Sequence, residues 1–169
     1  MNTVCNNLHG TRVIQKLIEI LTTERLIDKF IEGINPIILE LINDNNGNHI
    51  IQKFVVFIKK NGFIYEFLIN NYAQISSNKH GCCILQKCIE YSNPYYKVII
   101  HIYSQQILIN LIVSGTHLFI ADQYANYVLQ HIISLNNHEI NRKITSLFIN
   151  NIEVLSKQKF SSNVIEKVK

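Results

Sequence analysis

The sequence predicts an all-α protein, a solenoid of about five stacked three-helix units, and three observations lead there. One short motif recurs five times: His9-Gly-Thr11-Arg12-Val-Ile-Gln15-Lys, Asn46-Gly-Asn48-His49-Ile-Ile-Gln52-Lys, His80-Gly-Cys82-Cys83-Ile-Leu-Gln86-Lys, Tyr124-Ala-Asn126-Tyr127-Val-Leu-Gln130-His and Phe160-Ser-Ser162-Asn163-Val-Ile-Glu166-Lys. From Thr11 to Asn48, Cys82, Asn126 and Ser162 the steps are 37, 34, 44 and 36 residues, the period of a stacked supersecondary unit. Between the copies, apolar residues at helical spacing and turn signals leave room for two further helices per unit.

Each copy obeys one grammar: a small residue (Gly10, Gly47, Gly81, Ala125, Ser161), a variable pair, two aliphatics, then Gln or Glu. On a helix the first member of the pair and the Gln/Glu are four apart and share a face, and the second member sits about 100° round. The two aliphatics point the other way, into a core. Stacking such helices lines up the polar triplets as a row, and a row can read a linear polymer.

In order, residues 10–21 form the first motif helix, with Val13, Ile14, Leu17, Ile18 and Leu21 in register. Thr22 or Thr23 caps a second helix carrying Leu26, Ile27, Phe30 and Ile31, which Gly33 ends. Pro36 opens a short helix over 37–42, and Asp44-Asn-Asn-Gly47 turns the chain into the motif helix 46–60. Helices at 62–70 and 71–76 follow, then the turn Ser76-Ser77-Asn78, the motif helix 80–91, a helix 94–106 opened by Pro94, and a short one at 107–113. The segment from Ser114 to Phe119 accounts for the long spacing and reads as an insertion of about eight residues, a surface loop. Helices at 124–135, 137–150, 151–156 and from Phe160 complete the chain, giving units at approximately 1–33, 34–70, 71–106, 107–150 and 151–169. Residues 1–9 are too few for the short helix and turn that precede the other motifs, so the chain reads as part of a longer array.

Composition sets the class. A hydrophobic content of 47% over 169 residues supplies a continuous core, and a net charge of +4 suits an anionic partner without demanding one. Cys5, Cys82, Cys83 and Cys88 have no framework spacing, which points to a reducing, cytoplasmic setting. His80 with the three later cysteines lacks a C-x2-C pair, so no metal or other cofactor is expected. Met1-Asn-Thr-Val-Cys5 is no signal peptide, and the apolar run from Ile107 to Ile120 is too short and too interrupted to span a bilayer. A Gly-rich phosphate loop, a nucleophile elbow, H-E-x-x-H and an obvious carboxylate pair are all missing, so an enzyme is not expected.

The five triplets resemble those of the Pumilio/FBF (PUF) family of RNA-binding repeat proteins, over essentially the whole chain. The resemblance implies a curved, right-handed α-solenoid, a partial Pumilio homology domain similar to the third to seventh units of eight. It also implies that each unit reads one base of single-stranded mRNA 3′ UTR, in translational or other post-transcriptional regulation. Base edges would be read by Thr11 and Gln15, Asn48 and Gln52, Cys82 and Gln86, Asn126 and Gln130, and Ser162 and Glu166. Arg12, His49, Cys83, Tyr127 and Asn163 would lie between bases, where planar groups stack and Cys83 cannot. A Gln four residues after Asn matches uracil's mixed edge, whereas Glu166 only accepts and suits the N1–H and N2–H2 of guanine. The Cys82 unit takes adenine or uracil, and Thr11 with Gln15 resembles the adenine reader. With the RNA antiparallel to the protein, the expected core is 5′-G-U-(A/U)-U-A-3′. The resemblance further implies a monomer that recruits protein corepressors on its convex face.

A second class of function is a helical-repeat scaffold that binds proteins without any base code, and the triplet pattern counts against it. Lys16, Lys53, Lys87 and Lys167 follow the Gln/Glu and either meet the RNA backbone or form a solvated rim with ion pairs to Glu19 and Glu90.

Overall fold

The computed structural model describes residues 2–58, 62–90 and 99–168. In chain order its helices are α1 (Asn2–Cys5), α2 (Leu8–Ile20), α3 (Glu24–Ile34), α4 (Ile38–Asn43), α5 (Asn48–Phe57), α6 (Gly62–Asn70), α7 (Tyr72–Ser76), α8 (Gly81–Glu90), α9 (Ile99–Ser114), α10 (Thr116–Phe119), α11 (Ala125–Ser134), α12 (His138–Phe148), α13 (Ile152–Leu155) and α14 (Ser161–Lys167). Among the described residues every other regular element is a 3-10 turn, and the architecture is an all-α, right-handed solenoid. The motif helices form the row that the repeat predicts: α2 packs on α5, α5 on α8, α8 on α11 and α11 on α14. Behind them α9 packs against both α6 and α12, and each short helix (α1, α4, α7, α10, α13) lies against the motif helix that follows it.

The small residue of the motif marks that last contact. A Cβ on Gly10 would sit 2.2 Å from Val4 O, and one on Gly81 would sit 2.4 Å from Ile75 O. At Ser161 the same closeness becomes a hydrogen bond, Oγ donating to Leu155 O at 2.6 Å. The aliphatic pairs Ile50/Ile51, Ile84/Leu85 and Val128/Leu129 are fully buried, as their place on the inner face requires. Phe54 stacks on Phe30 at 5.6 Å and meets Phe63 edge-on at 5.5 Å, tying the first two units together. The first aliphatic of the first motif differs: Val13 is 65% exposed, because among the described residues no motif helix covers that side of α2.

Four expectations are corrected. A short helix does precede the first motif: α1 buries Cys5 completely. Gly33 lies inside α3, which runs on to the fully buried Ile34 and into a 3-10 turn, Asn35–Ile37, with Pro36 in its first turn. Core burial at Ile34 outweighs the weak helix propensity of one glycine. The expected break at 106/107 falls inside the single 16-residue α9, which contains neither Gly nor Pro. The beginning of the expected 94–106 helix, Pro94 included, lies outside the described residues, as do the last positions of the expected 46–60 helix.

The fourth correction concerns the insertion. Ser114–Phe119 is no loop, since Thr116 and Phe119 of α10 are buried at 0% and 3% exposure. Residues 115–124 join α9 to α11 just as residues 71–80 join α6 to α8, ten residues in each case. The extra length therefore precedes Ser114, where α9 has 16 residues against nine in α6.

Candidate nucleic-acid interface

The row of triplets is built from its base. In the first four units an Asn or Asp stands three residues before the small residue, and its Oδ1 accepts from two backbone N–H groups in the turn that enters the motif helix. Asn7 takes His9 N and Gly10 N at 2.9 and 3.0 Å, and Asp44 takes Asn46 N and Gly47 N at 2.8 and 2.6 Å. Asn78 takes His80 N and Gly81 N at 2.9 and 2.8 Å, and Asp122 takes Tyr124 N and Ala125 N at 2.8 and 2.7 Å. In the fifth unit Gln158 stands there and instead accepts from Ser161 Oγ at 3.2 Å. Reading the triplets alone misses these Asx turns, although an Asx at fixed offset from the small residue is a visible signal.

Each triplet then divides by depth. The first members Thr11, Asn48, Cys82 and Asn126 are 3%, 1%, 3% and 0% exposed, and Ser162 is half-buried. The second members Arg12, His49, Cys83, Tyr127 and Asn163 are exposed. Gln15, Gln52, Gln86 and Gln130 are half-buried between these levels, and Glu166 is exposed. The buried first members are bonded within the protein: Thr11 Oγ1 donates to Asn46 O at 3.0 Å and Cys82 Sγ to Lys79 O at 3.3 Å. Asn48 and Asn126 donate to backbone carbonyls and accept from Gln52 Nε2 and Gln130 Nε2, both at 2.8 Å.

Neighbouring triplets open into shared hollows. Gln15, His49 and Gln52 line one of about 250 Å³ together with Lys53, Phe57 and Lys87. Cys82, Cys83, Gln86, Tyr127 and Gln130 line a second of about 540 Å³. Lys79, Tyr124, His131 and Lys167 border it too, and of these only Lys167 is reached by the triplet-plus-lysine pattern. Tyr124 holds the place before the small residue that His9, Asn46, His80 and Phe160 hold elsewhere, so its signal lies inside the motif.

The lysines after the glutamines are already partly engaged. Lys16 Nζ and Lys53 Nζ both meet Glu19, at 2.9 and 2.6 Å, and Lys53 also lies 4.1 Å from the centre of the Phe57 ring. The Lys53 pair crosses from one unit to the next, and the two lysines hold the Glu19 carboxyl below its ordinary pKa. Burial, with the Cys83 thiol 3.9 Å away, pushes the Cys82 thiol up to about 12, so it stays protonated at neutral pH. All four cysteines are free thiols, and among the described residues no group of three His, Cys, Asp or Glu could hold a metal ion. No described helix is long and apolar enough to cross a membrane.

A row of helices that offers, at each of its first four steps, one exposed side chain, one half-buried amide and one buried anchor, and at the fifth an exposed carboxylate, defines a helical-repeat binding protein with a segmented groove. The chain belongs to the PUF family: the Pumilio-family RNA binding repeat matches residues 2–31, 38–58, 71–100, 119–146 and 151–168. A Pumilio domain-containing protein of Schizosaccharomyces pombe is 34% identical over 163 residues, which is 95% of this chain and 23% of the relative. Pumilio homolog 12 of Arabidopsis thaliana is also 34% identical, over 95% of this chain and 26% of its own length. The structure of the Puf4 RNA binding domain bound to the HO endonuclease RNA 3′ UTR recognition sequence superposes with a TM-score of 0.87 at 31% identity, over 98% of this chain and 50% of that one. The RNA-binding domain of yeast Puf5p bound to AAT2 RNA gives 0.77 at 34% identity, over 98% and 47%. The chain thus spans about a quarter of these curated relatives and about half of these solved chains.

Proposed function

We propose that this chain binds single-stranded RNA sequence-specifically, one base per repeat, with the core 5′-G-U-(A/U)-U-A-3′, and acts in post-transcriptional control of mRNAs through their 3′ UTRs. The observation that supports this most is the repeated division by depth: in the first four steps an exposed second member stands outside a half-buried Gln, which would leave the one to slot between bases and the other to meet a base edge, and in the fifth Asn163 and Glu166 are both exposed. Glu166 takes the 5′ guanine, Gln130 the next uracil, Gln86 adenine or uracil, Gln52 uracil and Gln15 the 3′ adenine. Solved relatives of this fold carry RNA 3′ UTR sequences, which agrees with the assignment. The basic charge and the lysines bordering the hollows supply the sequence-independent part of the attraction. A monomer in the cytoplasm that recruits protein corepressors on its convex face completes the reading.

Fluorescence anisotropy at one fixed salt concentration tests it. Wild type binds GUAUA-containing RNA about tenfold or more tightly than the same RNA with G changed to C, and Glu166→Gln loses that preference. If neither protein distinguishes the two RNAs, base reading at the fifth repeat is wrong.

A further inference from the structure

One exposed member of the row differs in chemical kind from the rest. Arg12, His49, Tyr127 and Asn163 present a planar guanidinium, ring or amide, whereas Cys83 presents a thiol, a nucleophile once deprotonated. It is the one free cysteine on the surface, since Cys5, Cys82 and Cys88 are 0%, 3% and 0% exposed. Burial raises the pKa of all three buried thiols and keeps them protonated and inert. Cys83 Sγ has two loose contacts, Cys82 Sγ and Lys79 O, both at 3.9 Å.

The exposed thiol opens into a space of ligand size. It lines the hollow of about 540 Å³ shared by α8 and α11, and small-ligand sites run from about 300 to 1,000 Å³. Among the described residues of that wall Lys79 and Lys167 are exposed cations and none is acidic. His131, on the same wall, has a buried Nε2 with no hydrogen-bond partner, an atom that an incoming polar group could satisfy. Space, charge and an unpartnered polar atom together favour a small anion beside Cys83.

We propose that Cys83 is a modification site that takes a mixed disulfide from a small anionic disulfide of the oxidised-glutathione class, and that the adduct closes the groove to RNA. The second half rests on the RNA reading above. The Cys83 thiolate attacks one sulfur of the reagent, whose S–S bond breaks as the bond to Cys83 forms. The departing thiolate takes up the proton that Cys83 gave up, so Cys83 is oxidised and the departing half reduced. Cys82 cannot undo the step. Neighbouring Cα atoms lie about 3.8 Å apart and a disulfide spans about 4.4–6.8 Å, so the pair does not close on itself, and a protonated thiol is a poor attacker. The adduct therefore stays until an outside thiol removes it, and occupancy follows the surrounding thiol pool. Seated beside Gln86, Tyr127 and Gln130, it fills the space in which the third and fourth units would hold bases.

The full chain treated with oxidised glutathione, followed by intact mass and peptide mapping, reads the site. One glutathionyl group on Cys83 is expected, and none on Cys83→Ser. At low salt the reagent modifies wild type about threefold or more faster than the double variant Lys79→Gln, Lys167→Gln, and for the cationic disulfide cystamine that order reverses. Equal rates, or an adduct on another cysteine, overturn the proposal. In fluorescence anisotropy the adduct weakens wild-type binding to GUAUA-containing RNA by about tenfold or more, the loss of one or two stacked bases, and dithiothreitol restores it. Affinity unchanged by a complete adduct overturns the closing of the groove, as does a response to oxidised glutathione in Cys83→Ser. If untreated wild type binds no RNA, the RNA reading fails and the groove-closing half with it, while the masses and rates still decide the site.

Discussion

The first two motif helices share one grammar and live in different surroundings. In α5 the residues Ile50, Ile51 and Phe54 are all 0% exposed, whereas their counterparts in α2, Val13, Ile14 and Leu17, are 65%, 8% and 38% exposed. The side chains are of one kind. What differs is that α5 lies between α2 and α8, while among the described residues α2 meets a motif helix on one side only. In a stack, a side chain is buried by the neighbouring unit rather than by its own, so equal positions in the motif contribute unequally to stability.

The largest effect expected from this contrast is at Phe54, whose ring packs on both Phe30 and Phe63. Phe54→Ala costs about 3–5 kcal/mol, and Leu17→Ala, at the same motif position, costs about 1 kcal/mol or less. Urea unfolding of both variants measures this, and equal costs would break the comparison. A middle-sized effect is expected at the small residues. Gly81→Ala drives a Cβ into the Ile75 carbonyl of α7, which is itself wedged against α6, α8 and α9, and costs about 1–3 kcal/mol. Gly10→Ala meets the Val4 carbonyl of the four-residue α1, which is anchored chiefly by Cys5 and packs on fewer neighbouring helices than α7, so it costs less. Thermal unfolding that ranks the two the other way round would show that α1 is held as firmly as α7.

The smallest effect lies in the tie between the two helices. Glu19 of α2 holds Lys53 of α5, and its carboxyl titrates below the ordinary value of 4.5 in the folded protein. A carboxyl depressed by folding contributes stability above its unfolded pKa and loses it as pH falls through the folded one. Wild type should therefore be modestly more stable than Glu19→Gln at pH 7, with the gap closing below about pH 4.5 and narrowing in high salt. A gap that persists at pH 3 would assign the effect to packing instead.

The row of helices was legible because a mid-thirties repeat leaves few other architectures, and the i, i+4 spacing of Asn48 with Gln52 places both on one helix face whatever surrounds them. Helix ends and the insertion were not legible for a different reason. A count of 44 residues between Cys82 and Asn126 says that length was added, without saying on which side of Ser114, and Ser-Gly-Thr looks like a loop until Thr116 and Phe119 are seen buried. Depth was hidden in the same way. Asn48 and Gln52 are both polar amides in the sequence, and only packing of the neighbouring units puts one at the floor of the groove and the other at its lip. Contacts such as Lys53 with Glu19 join residues a full repeat apart, where no local pattern shows them.

The row of packed motif helices also sets a stride. Helices in contact lie about 8–10 Å apart, whereas a stacked nucleic-acid strand advances about 3.4 Å per nucleotide. If one unit takes one base, as proposed, the strand must be drawn out until its bases part, and the exposed Tyr127 and His49 would be available to fill such gaps. A duplex cannot be stretched in this way and stay paired. The spacing of the scaffold would by itself turn away double-stranded RNA, before any base is inspected.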